Sequence, residues 1–229
     1  MRRFWAWMLT LTLLVPATAA ADGIITTRVE LNNLLGGQGT TDTFETFDVA
    51  DSTVVALGVS QLNASTVVLG QGPGLVHAGA TYISLNAPFA WMGSDYNGLP
   101  MSKTLLASYA SQALSPESPL LFRAIRISYD VPPQLVGIDL VRFGDLGIVT
   151  IELYDAAGEF VADFFPSLEA AGQPVFFGYR YSPGIGSIVV KNTKFGTVWS
   201  PNIDDHTYGM LDVTGAKATT WGRLKTLYR

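Results

Sequence analysis

In Val149-Thr150-Ile151-Glu152-Leu153-Tyr154 apolar and polar side chains alternate without a break. A period of two puts Val149, Ile151 and Leu153 on one side of an extended chain and Thr150 and Glu152 on the other. That is the signature of a strand with one face on a core. Asp155-Ala156-Ala157-Gly158 follows, an acidic turn starter with a glycine able to take positive φ. Extended character then resumes from Glu159 to Phe164. The unit is a β-hairpin.

The same period recurs along the chain. Strands are expected over 24–31, 42–47, 53–59, 66–69, 81–85, 121–129, 135–143, 175–179, 187–191 and 203–208. Between them stand turn clusters such as Gly36-Gly37-Gln38-Gly39, Gly70-Gln71-Gly72-Pro73-Gly74, Asp130-Val131-Pro132-Pro133 and Ser182-Pro183-Gly184. Many short strands so punctuated, with little helix between them, predict an all-β fold: one antiparallel, jelly-roll-like β-sandwich over residues 22–210. Residues 103–113 suit either a short helix or a loop. Residues 211–229 read as a polar linker and a short basic tail ending Trp221-Gly222-Arg223-Leu224-Lys225-Thr226-Leu227-Tyr228-Arg229.

The first 21 residues have the parts of a secretory signal. Arg2 and Arg3 precede an apolar run from Phe4 to Val15, then Pro16 and the small-residue stretch Ala17-Thr18-Ala19-Ala20-Ala21. Twelve apolar residues fall short of the roughly 20 needed to span a bilayer, so cleavage and export are expected, to the periplasm, the cell surface or the medium. No transmembrane segment is expected in the processed chain. Its 12 basic and 19 acidic residues oppose a phosphate backbone, which excludes nucleic acid as an expected partner. The chain has no cysteine, so the fold rests on packing alone, and thiolate metal sites and cysteine nucleophiles are excluded.

The motifs around the hairpin resemble those of exported bacterial β-sandwich proteins that often carry a PEP-CTERM sorting tail. They are Gly137-Ile138-Asp139, Ile151 to Gly158, Phe176-Phe177-Gly178, Gly184 to Val190 and Ile203-Asp204-Asp205-His206-Thr207-Tyr208-Gly209, with an acidic-aromatic start at Phe44-Glu45-Thr46-Phe47. The resemblance spans roughly residues 42–209. Two departures stand out: the sorting tail itself is missing, and His206 occupies a position that is usually aliphatic. The resemblance implies a jelly roll similar to galactose-binding and carbohydrate-binding modules, and leaves activity undefined.

Two constellations carry candidate chemistry. Asp204 and Asp205 are adjacent carboxylates at a strand start, costly unless solvated, paired or bound to a cation. The resemblance to jelly-roll modules implies a structural calcium held by Glu45 with Asp204 or Asp205; capping of the Trp199–Asn202 loop explains the same residues. Strict alternation groups Asp204, His206 and Tyr208 on one face. The second constellation is Trp91, Asp95, Tyr96 and Asn97, the flat aromatic faces and hydrogen-bonding side chains of a glycan site; a loop folded over a buried Trp91 is the alternative.

Catalysis lacks a constellation. The two histidines, His77 and His206, are not near a Gly-x-Ser-x-Gly elbow, and Asp139, Asp145, Glu152 and Asp163 show no spacing that pairs them for glycoside hydrolysis. The expected function is non-catalytic binding of a glycan or cell-surface polymer. A structural matrix protein and a carboxylate hydrolase are the alternatives.

Overall fold

The computed structural model describes residues 21–85, 88–96, 101–106, 124–141, 149–168, 172–192 and 201–212. They form an antiparallel β-sandwich. Sheet A runs in the order β1 (Gly23–Ile25), β12 (Pro174–Arg180), β9 (Leu135–Val141), β14 (Asn202–Gly209), β7 (Thr104–Leu106), β6 (Ala90–Met92), β3 (Val54–Ala56), and β2 (Thr40–Asp42) also pairs with β14. Sheet B runs β11 (Phe160–Phe164), β10 (Val149–Asp155), β13 (Ile185–Asn192), β8 (Ala124–Tyr129), β5 (Ala80–Leu85), β4 (Gln61–Leu62). From β8 onward the chain crosses repeatedly between the sheets, so the core is closed by long-range pairings, as in a jelly roll.

Alternation builds that core. Val136, Ile138 and Leu140 of β9 meet Ile125 and Ile127 of β8, Ile151 and Leu153 of β10, and Ile188 and Val190 of β13. The 149–164 segment forms the hairpin expected of it, with Ile151 opposite Phe164 and Glu152 opposite Asp163. Asp155 Oδ1 accepts from the N–H groups of Ala157 and Glu159 at 2.9 Å, which locks the turn.

The expected strand over 24–31 is a correction. It stops at Ile25, and α1 (Arg28–Leu35) follows. Thr27 caps the helix, its Oγ1 accepting from Glu30 N at 3.1 Å, and Gly36 closes it in the left-handed conformation at φ 57°. Leu31 and Leu35, four residues apart, bury together against Ile25 and Leu135 on the outer face of sheet A. Opposite them Gly137 is required: a Cβ there would meet Leu31 Cδ2 at 2.3 Å. Thr27→Ala is expected to cost about 1 kcal/mol, read as a lower urea midpoint at unchanged m-value. Two further segments differ: 66–69 forms a turn bridged between Val68 and Gln71, and of the strand expected over 42–47 only Asp42 is extended, as the last residue of β2. Within 103–113, Lys103 leads into strand β7 (Thr104–Leu106), and residues 107–113 lie outside the described residues.

Strict alternation also fails in β14. Asp204 pairs with Asp139 but Thr207 with Gly137, so three steps on β14 match two on β9. The extra residue is a β-bulge with Asp205 at φ 40°. Ile203, His206 and Tyr208 consequently face the core, while Asp204 and Thr207 face outward. Asp204 does not share a face with His206.

Candidate functional site

The bulge delivers His206 to the centre of a buried polar chain. His206 is fully buried; its Nδ1 lies 2.7 Å from Tyr82 Oη and its Nε2 2.9 Å from Tyr129 Oη. Tyr82 donates to Asp42 Oδ2 at 2.5 Å, and Asp42 Oδ1 accepts from the His77 backbone N–H at 2.6 Å and lies 2.8 Å from His77 Nδ1. One proton arrangement satisfies the chain. The Tyr82 hydroxyl proton is committed to Asp42, so its oxygen accepts from His206 Nδ1–H, and Nε2 accepts from Tyr129. His206 is therefore neutral in a fixed tautomer, and burial drives its pKa down from 6.5 to about 4, with Arg28 adding to the fall and Asp42 opposing it. Burial likewise pushes the Tyr82 and Tyr129 hydroxyls well above their ordinary range.

The chain of bonds ends beneath a cleft. Tyr208 stacks on His206 at 5.0 Å between ring centroids and donates to the Ala78 carbonyl at 2.8 Å. Tyr208, Ala78 and Gly79 form one wall of an open cleft of about 350 Å³, completed by Gln38 and Thr40 and by Val131, Pro133, Gly209 and Met210. A Cβ on Gly79 would stand 3.2 Å from Tyr208 Oη, so the close wall depends on glycine. Val131 and Met210 are 71% and 51% exposed and form apolar rims. Every lining side chain is neutral.

The outward side of the bulge holds the carboxylates. Asp204 accepts from Ser102 Oγ and, at 2.8 Å, from the Asp205 N–H. Burial raises its pKa from 3.8 to about 7, with Asp205 and Asp139 adding to the rise against those two hydrogen bonds. Asp139, directly opposite, pairs with Arg28 at 2.9 Å; burial still raises its pKa despite that partner. Arg28 also donates to the Asp205 carbonyl at 2.7 Å and to Thr207 Oγ1 at 2.9 Å, tying α1 to the bulge.

Glu45, by contrast, is exposed and accepts from Lys103 N at 3.0 Å. Ser102 reaches Asp204 while Lys103, the next residue, turns to Glu45 and sets its ammonium 3.4 Å from the Glu45 carbonyl. Among the described residues no three His, Cys, Asp or Glu side chains are grouped to hold a metal ion. Glu45, Asp204 and Asp205 are all described and form no such group: Glu45 stands at Lys103 and Asp204 at Ser102.

In the 91–97 segment the structure shows the alternative arrangement, a buried Trp91. Trp91 is 0% exposed, lies on β6 between β7 and the edge strand β3, stacks on Phe47 at 5.2 Å and donates from Nε1 to the Phe44 carbonyl at 2.9 Å. It has no face to offer a sugar. Tyr96 packs on the small outer cluster of Met92, Met101 and Val141. Asp95 is exposed, its backbone closing a turn with Met101 and Ser52; Asn97 lies outside the described residues, as does Asp145. Of the remaining carboxylates, Glu152 and Asp163 do stand opposite each other, but Glu152 is held by Lys191 and Tyr154 on the outer face of sheet B.

No family model and no curated protein matches the chain. Among solved structures, the K2 cleaved adhesin domain of Lys-gingipain is similar over 75% of this chain and 99% of its own, at 16% identity and a TM-score of 0.39. A mutant of a family 29 carbohydrate-binding module is similar over 70% of this chain and 94% of its own, at 13% identity and a TM-score of 0.26. Likenesses this distant say nothing about a ligand.

Proposed function

We propose that the protein is an exported, non-catalytic binding module that holds a small, neutral, hydroxyl-bearing ring such as a sugar unit in the cleft walled by Tyr208. The carrying observation is the chemistry of the lining. On a chain with 19 acidic and 14 basic residues, nine cleft residues include no charge, while Gln38 and Thr40 supply an amide and a hydroxyl beside apolar Val131, Pro133 and Met210. Apolar walls with a few fixed polar groups are what small-ligand sites use. Export is supported by the leader pattern of residues 1–21.

The non-catalytic reading rests on what stands beside the histidines. His206 spends both ring nitrogens on tyrosines. His77 directs Nδ1 to Asp42 and leaves Nε2 open, but among the described residues no hydroxyl is hydrogen-bonded to that nitrogen, so the nucleophile of a base-nucleophile pair is lacking there.

The test is a glycan array followed by calorimetric titration of the mono- or disaccharide that scores. Val131→Glu and Met210→Glu, both at exposed positions, are expected to weaken binding at least about tenfold by placing a charge on an apolar rim. Binding unchanged in both variants, or no binding by the wild type, defeats the reading.

A further inference from the structure

The two outer faces of the sandwich differ. Sheet A is covered by α1 and by the Met92–Met101 cluster. Over sheet B the described residues place no second element; α1 packs on β1, β9 and β12, all strands of sheet A.

The register of sheet B sets its outward side chains in rows across the strands. Phe160 stands opposite Tyr154, Tyr154 opposite Ser187, Ser187 opposite Ser128, and Ser128 opposite Thr81. All five are partly or fully exposed. At one end is an aromatic pair, Phe160 (57% exposed) set edge-on to Tyr154 at 6.0 Å. Along the rest run three hydroxyls. In the adjoining row Glu152, Val189 and Arg126 are aligned. Glu152 is neutralised by Lys191, whereas exposed Arg126 has no hydrogen-bond or ion-pair partner among the described residues, nor have the side chains of Ser128, Ser187 and Thr81. Four interstrand steps of about 4.8 Å make the row roughly 19 Å long.

We infer that this open face is a second binding surface, distinct from the Tyr208 cleft, for an extended acidic glycan lying across the strands. Carbohydrate rings stack on Tyr154 and Phe160, ring hydroxyls meet Ser187, Ser128 and Thr81, and a ring carboxylate meets Arg126. The guanidinium, exposed and without an ion-pair partner among the described residues, decides for an acidic polymer over a neutral one, because its planar donor fork matches a carboxylate. The hydroxyl row and the aromatic pair decide for a glycan over an acidic polypeptide. Asp163, opposite Glu152 on the edge strand, makes the β11 side of the second row acidic and directs the ligand carboxylate toward β8, where Arg126 stands.

The experiment is affinity electrophoresis and calorimetry of the processed chain with three probes at about 0.15 M salt: polygalacturonate, a neutral galactan and poly-L-glutamate. Polygalacturonate is expected to bind well above the other two. Arg126→Gln should lose about tenfold or more, the worth of one charge-assisted contact, and Tyr154→Ala should also weaken binding. Val131→Glu, at the cleft, should leave it unchanged, so this surface and the cleft fail separately. Absence of polygalacturonate binding, equal binding of galactan or poly-L-glutamate, or wild-type affinity in Arg126→Gln overturns the inference. Arg126 is exposed, so its loss leaves the fold intact; a circular dichroism melt matching wild type verifies this.

Discussion

Trp91→Ala is expected to lower the unfolding free energy by about 3–5 kcal/mol. The indole is buried in the core beneath β6, stacked on Phe47 and edge-on to Phe44 at 5.7 Å. Its Nε1 also satisfies the carbonyl of Phe44, a residue held at φ 56°. Alanine leaves a cavity, removes two ring contacts and orphans a buried carbonyl. Trp91→Phe should recover part of the loss by restoring ring volume without the hydrogen bond. Chemical denaturation of both variants checks the order; an alanine variant within 1 kcal/mol of wild type would contradict the packing described.

The second large effect concerns acid. His206 has a folded pKa of about 4 against 6.5 unfolded, so its contribution is present above pH 6.5 and lost as the pH falls toward 4. Asp204 runs the opposite way. Its pKa is raised from 3.8 to about 7, so its contribution is complete below pH 3.8 and lost as the pH climbs to 7. The two slopes oppose each other between about pH 4 and 6.5, and together they flatten the stability profile there. Asp204→Asn should therefore gain on the order of 2 kcal/mol at pH 8, where it removes a buried charge, and should then lose stability steeply on acidification. His206→Gln should show the reverse slope, gaining stability as the pH drops from 7 to 4, although its absolute stability is lower because Tyr82 and Tyr129 lose their shared partner. Urea midpoints from pH 4 to 8 decide the matter; parallel curves for the wild type and both variants would refute it.

The hairpin of β10 and β11 was legible in the sequence because its information is local: a period of two, an acidic turn residue and a glycine. Helix α1 was also written locally, in the Thr27 cap, Glu30 three residues on, Leu31 and Leu35 four apart and Gly36 at the end. Ile24, Ile25 and Val29 obscured it, since β-branched residues in a short apolar stretch read equally as a strand. The bulge was not readable, because whether β14 carries an extra residue depends on its partner β9. Trp91 misled for a related reason. Its neighbours Asp95, Tyr96 and Asn97 have the composition of a ligand loop, yet a tryptophan's burial is settled by Phe44 and Phe47, far away in sequence. The cleft draws on residues from 38 to 210, and the rows of sheet B exist only through register. Neither leaves a mark on any one stretch of chain.

The bulge at Asp205 has a consequence for related sequences. Deleting this one residue would restore the regular pairing without turning the strand over: His206 would come opposite Ile138 and still face the core, and Thr207 would stay opposite Gly137. Keeping the residue but ironing out the bulge is what would send the imidazole to the other face, so a relative that lacks the insertion is expected to keep the same polar and apolar order at each of its final positions. Alignments that slide a gap through this motif would then equate residues lying on opposite sides of the sheet.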